Sequence, residues 1–352
     1  MPIQRPNWLP KILPELDGLR GLAVLGVLFY HCGPLLEGTW LHGPAEWGWA
    51  GVNLFFVLSG FLITSILLDS RQKPRYFRNF YGRRALRIWP VYIFVLAICY
   101  WQSGWFIDPK VPNLIRTPFW PGYIFFVQNL VAGVMPSSIG PTWSLAIEQQ
   151  YYLLWAPLVR YLRRPWMLAA LLVAALVCSP LVRHLNPHWM WGLHNHTLIK
   201  LDGIALGSLL ALGLYTLRLS QRIWLWIGLG VFVLGMAAAA TVAGGTSLLD
   251  TALALGFAGA ALASMASTGA RNPVAAALRH GPLAFYGRIS YGLYMTHIMV
   301  FICFGWFNIW MNGHGMAGNL AVVAVRLVTT TAVAAGLWYG FESQVLKLKR
   351  YF

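Results

Sequence analysis

The stretch LDGLRGLAVLGVLFYHCGP, Leu16 to Pro34, decides how this chain is read. It is apolar and long enough to cross a bilayer, yet it carries Asp17 and Arg20 near one end and His31 near the other. An ionisable side chain at the centre of a membrane helix costs ~2.5–3.5 kcal/mol on insertion scales, so each one needs a reason to be there. On a helix, positions eleven apart fall within about 20° of three full turns. Arg20 and His31 therefore share one face, about 16 Å apart along the axis. Asp17, three residues before Arg20, lies within reach to orient its guanidinium.

The rest of the chain repeats the apolar theme. Of 352 residues, 58% are hydrophobic and 10% charged, against about 25% charged in an average soluble protein. The pattern predicts an all-α polytopic membrane protein with about ten transmembrane helices. They are placed near 17–36, 50–69, 85–104, 141–160, 166–184, 200–217, 223–242, 249–268, 288–309 and 319–341. With both termini in the cytoplasm, 21 of the 26 Lys and Arg residues fall at cytoplasmic ends or loops. Lys110, Arg116, Arg183, Lys200 and Arg326 are the exceptions. The net charge of +16 is thereby explained by topology, and nucleic acid is not an expected partner. No room is left for a separate soluble domain, so residues 1–352 read as one membrane domain. The segment 105–140 contains an apolar run too short to span and reads as re-entrant or interfacial. Cys32, Cys99, Cys178 and Cys303 lack metal or disulfide spacing and read as small buried hydrophobes. The histidines of HLNPHWMWGLHNH match no regular zinc pattern, so no metal site is expected.

Three further constellations carry possible chemistry. RQKPRYFRNFYGRRALRIWP (71–90) concentrates seven bases, six of them Arg, before the third span. Arg83, Arg84 and Arg87 are placed on that helix's first turns. The planar fork of arginine suits phosphate oxygens, so a cytoplasmic polyanion or the anionic leaflet would fit. PTWSLAIEQQYYLLW (141–155) puts Glu148 one or two turns into a span from its exported end, where it needs an internal partner. Trp143 and Tyr152 alongside suit the interface belt or a sugar face. GRISYGLYMTH (287–297) sets Ser290 and His297 on nearly one face with Tyr294, as a polar cavity lining or as helix-packing groups. Lys200 and Asp202 sit at a membrane boundary and cannot face each other, so each requires another partner.

Taken in order, ELDGLRGLAVLGVLFYH, GVNLFFVLSGFLI, FYGRRALRIWPVY, PTWSLAIEQQYYLL and RISYGLYMTH resemble the acyltransferase 3 family of integral-membrane O-acyltransferases, over about residues 15–340. The resemblance implies transfer of an acyl group, usually acetyl, from cytoplasmic acetyl-CoA to a hydroxyl of an extracytoplasmic glycan or lipid-linked saccharide. Some relatives modify small natural products such as macrolides instead. Acyl-CoA would be a donor substrate, with no permanently bound cofactor and no metal. The location implied is the bacterial cytoplasmic membrane, crossed many times. The arginine and histidine of the first motif are essential in the family; here they are Arg20 and His31. Arg83, Arg84 and Arg87 would hold the donor's phosphates with Arg20 at the channel mouth. His31 would act as general base or carry the acyl group itself, and Glu148 would support it or bind the acceptor. A chain ending at Phe352 corresponds to the stand-alone type, without the C-terminal hydrolase-like domain of some members, so a partner protein could present the acceptor. The competing reading is a proton-coupled transporter using His31, Glu148 and Asp202.

Overall fold

The computed structural model describes residues 4–105, 120–130, 139–186, 195–242, 247–268, 273–311 and 314–352. No strand occurs among them, and ten helices have 16 or more residues. In chain order these are α1 (Pro14–Cys32), α2 (Gly51–Ser70), α3 (Tyr76–Trp105), α4 (Thr142–Tyr161), α5 (Pro165–Leu185), α6 (Leu201–Thr216), α7 (Gln221–Thr241), α8 (Leu249–Ala266), α9 (Gly281–Cys303) and α10 (Gly315–Leu337). Each answers to one expected span. By length and apolarity alone, six stretches among the described residues are able to cross a membrane, or seven if a bent pair is one span. The polar helices α3 and α4 and the short α6 lie outside that set.

The ends of α1 follow from its sequence. Pro14 opens it, where a missing N–H costs nothing, and Glu15 and Asp17 suit the positive end of the helix dipole. Gly33 and Pro34 then turn the chain into a short 3-10 segment. Two expected boundaries change. The third helix begins at Tyr76 rather than near residue 85; Tyr, Phe, Asn and Gly in this stretch are modest helix formers, and packing holds it, with Tyr76 and Phe80 buried and the Tyr76 hydroxyl donating to the Ala156 carbonyl at 3.0 Å. Arg83, Arg84 and Arg87 therefore lie two to three turns into α3, not on its first turns. The ninth span breaks after Cys303, and Gly305–Met311 leaves at 55°. Most of the 105–140 segment, with Lys110 and Arg116, lies outside the described residues; Trp120–Ile124 is a short helix. Cys32 and Cys99 are buried, but Cys178 and Cys303 are exposed on outer helix faces, so only two of the four fit the expected role.

Between lipid-bathed helices, burial of apolar surface gives little drive, and close backbone packing by small residues replaces it. α1 is seated this way. A side chain at Gly287 would overlap the Asp17 carbonyl, and one at Gly18 would overlap the Leu278 carbonyl. α2 meets α6 likewise through Gly60 and Gly207. α1 thus packs between α9 and α2, with α6 and α8 behind α2. α5, α7 and α10 bury only about a fifth of their apolar windows and form the rim.

One polar cluster ties α5, α6, α8 and α2 together. Arg183, 2% exposed, donates to Asp202 at 2.8 Å, and Thr251 donates to the same carboxylate at 2.6 Å. Lys200 donates to Asp250 at 2.7 Å, and Asn53 donates to Asp250 at 3.0 Å. These are the partners Lys200 and Asp202 required. Removing one member of a buried pair costs roughly 3–5 kcal/mol because the survivor stays uncompensated. Arg183→Met is expected to lower the melting temperature in detergent sharply, and adding Asp202→Leu to restore part of it. A double variant no more stable than Arg183→Met would show that the pair is not what holds these helices.

Candidate functional site

Two cavities run end to end beside α1. The inner one, about 110 Å³, is lined by Arg20 of α1, Ser59 of α2, Arg84 and Arg87 of α3, Glu148 and Tyr152 of α4, and Ser290, Tyr291 and Tyr294 of α9. The outer one, about 500 Å³, is lined by Tyr30 and His31 of α1, Trp49, Asn53, Trp143, Asn195, Lys200 and again Tyr294. Val52 and Tyr294 belong to both and form the wall between them. The helical arithmetic is realised here: Arg20 faces the inner cavity and His31 the outer.

In the inner cavity Glu148 is fixed from two helices. The Ser59 hydroxyl donates to Oε1 at 2.5 Å and the Tyr152 hydroxyl donates to Oε2 at 2.9 Å. Arg20 and Arg84 are the charges that act on it. The structure therefore groups Glu148 with the arginines and not with His31. Asp17 acts on Arg20 through space, without a direct ion pair among the described residues. Ser290 is buried with its hydroxyl unpaired. Arg83 points away from the cavity; its Nε donates to the Phe352 carbonyl at 3.1 Å.

In the outer cavity, His31 Nδ1 lies 2.9 Å from the Val27 carbonyl. A carbonyl only accepts, so Nδ1 carries the proton and Nε2 keeps a free lone pair. His297 stands behind it, fully buried, with ring centroids 4.8 Å apart. Its Nδ1 donates to the Tyr294 carbonyl at 2.7 Å, and its Nε2 has no partner. The Tyr294 hydroxyl is 2.8 Å from that of Ser144. Trp143 packs its edge on Phe56 at 5.9 Å and forms part of the outer wall. Asp202 lines neither cavity, so the three residues of a transporter relay do not share one path.

Several residues of the site had no clear signal in the sequence. Ser59 is one hydroxyl in an apolar helix, and only its position opposite Glu148 gives it meaning. Trp49, Tyr30 and Asn53 stand in no motif or spacing that marks them out. Glu342, 4% exposed, closes a π-helical turn, Trp338–Glu342, just after α10, and Arg87 and Arg20 are the charges acting on it. An acid beyond the last apolar run was its one sequence signal. No group of three or more metal-ligating side chains occurs among the described residues.

The family model described as "Acyltransferase domain" matches residues 13–339, and the chain belongs to that family, acyltransferase 3. The chain is 36% identical over 157 residues to the peptidoglycan O-acetyltransferase OatA of Listeria monocytogenes, covering 41% of this chain and 24% of that one. It is 35% identical over 164 residues to the O-acetyltransferase OatA of Staphylococcus aureus, covering 44% and 26%. The match thus spans about a quarter of the length of these curated relatives. No solved structure matches.

The Glu148 clamp makes a prediction. Each hydrogen bond to a charged group contributes about 1.5–3 kcal/mol, so Ser59→Ala and Tyr152→Phe should each reduce turnover about tenfold or more. Because both act through one carboxylate, the double variant should lose less than the product of the two. Strictly multiplicative losses in a transfer assay would mean that the two hydroxyls act independently of Glu148.

Proposed function

We propose that the protein is an O-acetyltransferase that takes an acetyl group from acyl-CoA at the basic, cytoplasmic mouth and delivers it to a hydroxyl of a glycan on the opposite side. The observation that carries this reading is the pair of cavities along one face of α1, with arginines in the inner and a free imidazole nitrogen in the outer. Arg20, Arg84 and Arg87 offer forks for the donor's diphosphate. The thin pantetheine arm then extends past Val52 and Tyr294, which swing apart to admit it, and brings the thioester to His31.

The chemistry is a direct exchange. His31 Nε2 takes the proton from the acceptor hydroxyl as its oxygen attacks the thioester carbonyl. The C–S bond breaks as the C–O ester bond forms, and His31 returns the proton to the departing thiolate. The outer cavity suits a sugar: Trp49 and Trp143 offer stacking faces, and Asn53 and Asn195 offer amides. Lys200 is already paired with Asp250, so the wall there is close to neutral. The peptidoglycan acetyltransferase among the relatives supports a cell-wall glycan as the acceptor class. A partner protein could present it.

The test follows radiolabelled acetyl-CoA into surface glycan in membranes carrying the full chain. His31→Ala is expected to abolish transfer while leaving the melting temperature unchanged. Full transfer by a folded His31→Ala variant would overturn the mechanism. A second measurement separates donor from acceptor. Arg84→Ala is expected to raise the KM for acetyl-CoA about tenfold or more, the worth of one charge-assisted contact, with the acceptor KM little changed. An unchanged donor KM would remove the arginine from phosphate binding.

A further inference from the structure

Of the described residues that line the outer cavity, Lys200 alone carries a fixed charge, and the transfer chemistry leaves it unused. It stands at the N-cap of α6, where the helix dipole disfavours a cation. It also shares the cavity of His31 rather than the basic mouth. A lysine in that place needs an anion, and Asp250 of α8 supplies one: Lys200 donates to its Oδ2 at 2.7 Å. Asn53 of α2 donates to Oδ1 of the same carboxylate at 3.0 Å. Asp250 is not among the described lining residues, so it holds both side chains from outside the cavity.

That anchoring leaves hydrogen-bonding capacity over. An ammonium has three N–H donors, and Lys200 spends one of them among the described residues. A carboxylate only accepts, so the nitrogen of the Asn53 amide faces Asp250 and its oxygen is turned elsewhere, with no donor among the described residues. Donors and an acceptor thus stand on one anchor, the combination that a hydroxyl or an amide satisfies. Charge is not left over. Arg183 donates to Asp202 at 2.8 Å and lies 3.9 Å from Asp250, so the cluster holds two cations and two carboxylates. An anion entering here draws Lys200 away from Asp250, which is 13% exposed, and leaves that carboxylate short of positive charge. A hydroxyl takes the unspent N–H groups and leaves the ion pair intact.

We propose that Lys200 and Asn53, anchored on Asp250, are the specificity determinants of the outer cavity, and that they select an uncharged saccharide as acceptor over one bearing a carboxylate. The inference rests on the reading of the outer cavity as the acceptor site and narrows its glycan to a neutral one. A lone lysine on a cavity wall attracts acids; here Asp250 cancels that attraction and leaves only the directional N–H groups. The Asn53 oxygen accepts from a sugar hydroxyl and has nothing to offer a carboxylate.

The test supplies the full chain in detergent with radiolabelled acetyl-CoA and three glucosamine oligosaccharides, N-acylated with acetate, with succinate or with succinamide. The last two match in size and hydroxyls and differ only in charge. Wild type is expected to label the succinamide form about tenfold more efficiently than the succinate form, the discrimination that an uncompensated charge imposes. Lys200→Gln, which leaves the cluster one charge negative, is expected to widen that ratio. Asp250→Asn, which leaves it one charge positive, is expected to bring the ratio to one or invert it. Both substitutions break the same ion pair, so a merely structural role would move the ratio in neither direction or in the same one. Equal labelling of the two matched forms by wild type, including none of either, overturns the proposal, and that result stands even if a variant fails to fold. Shifts of the same sign in the two variants also overturn it. Label on none of the three sugars would instead overturn the acceptor reading on which the selection depends.

Discussion

A guanidinium inside a bilayer needs a counter-charge or a route to water, and this bundle is organised around meeting that need. In one half, Arg20, Arg84 and Arg87 come from two helices and are matched by Asp17, Glu148 and Glu342 from three. In the other, Arg183 is matched by Asp202, and Asp250 is shared with Lys200. The two clusters differ in what they leave open. Arg183 is held by Asp202, Thr251 and the Ser247 and Ile199 carbonyls and lines neither cavity, so its charge binds helices together. The inner cluster borders a cavity, so its charges are available to something that enters.

The glycine contacts set where those charges stand. With Gly21 against Leu283 of α9, Gly287 of α9 against Asp17, and Gly18 against Leu278 just before α9, the two backbones approach as closely as sterics allow. At that separation α1 cannot rotate or slide without collision, so the face carrying Arg20 and His31 is fixed towards both cavities. Tyr294, on the same α9, then stands between them. Its carbonyl orients His297 and its hydroxyl meets Ser144. One helix pair therefore fixes His31, Arg20 and the wall between the cavities.

Much of this was legible in the sequence, and the reason is periodicity. Apolar runs predicted ten spans, and a long helix among the described residues falls on each, six or seven of them long and apolar enough to cross a membrane; eleven-residue spacing put Arg20 and His31 on one face. What one helix cannot reveal is which neighbour it meets. Glu148 was expected to need a partner, but whether that partner was an imidazole or a guanidinium depends on how α4 sits against α1 and α3. Lys200 and Asp202 posed the same difficulty, and their partners proved to be 50 and 19 residues away. The start of α3 was not legible because its first turns, YFRNFYGRR, have modest helix propensity and are held by packing of Tyr76 and Phe80 against a helix distant in sequence. That error moved Arg84 and Arg87 outward by more than a turn and hid their place in the cavity.

The grouping of Glu148 with the arginines bears on how His31 can work. No carboxylate among the described residues contacts His31, whose Nδ1 is occupied by a backbone carbonyl. An imidazolium there would have no protein anion beside it, and a lasting positive charge in a low-dielectric site is costly. The proton is therefore best held only while a negative charge from the reaction lies nearby. On the acyl-CoA mechanism proposed above, the departing thiolate would supply that charge as the thioester opens, at the same moment the acceptor releases its proton. Concerted transfer keeps the vestibule close to neutral throughout. The carboxylates are placed where charge persists between turnovers, at the arginines, and are absent where it appears only in passing.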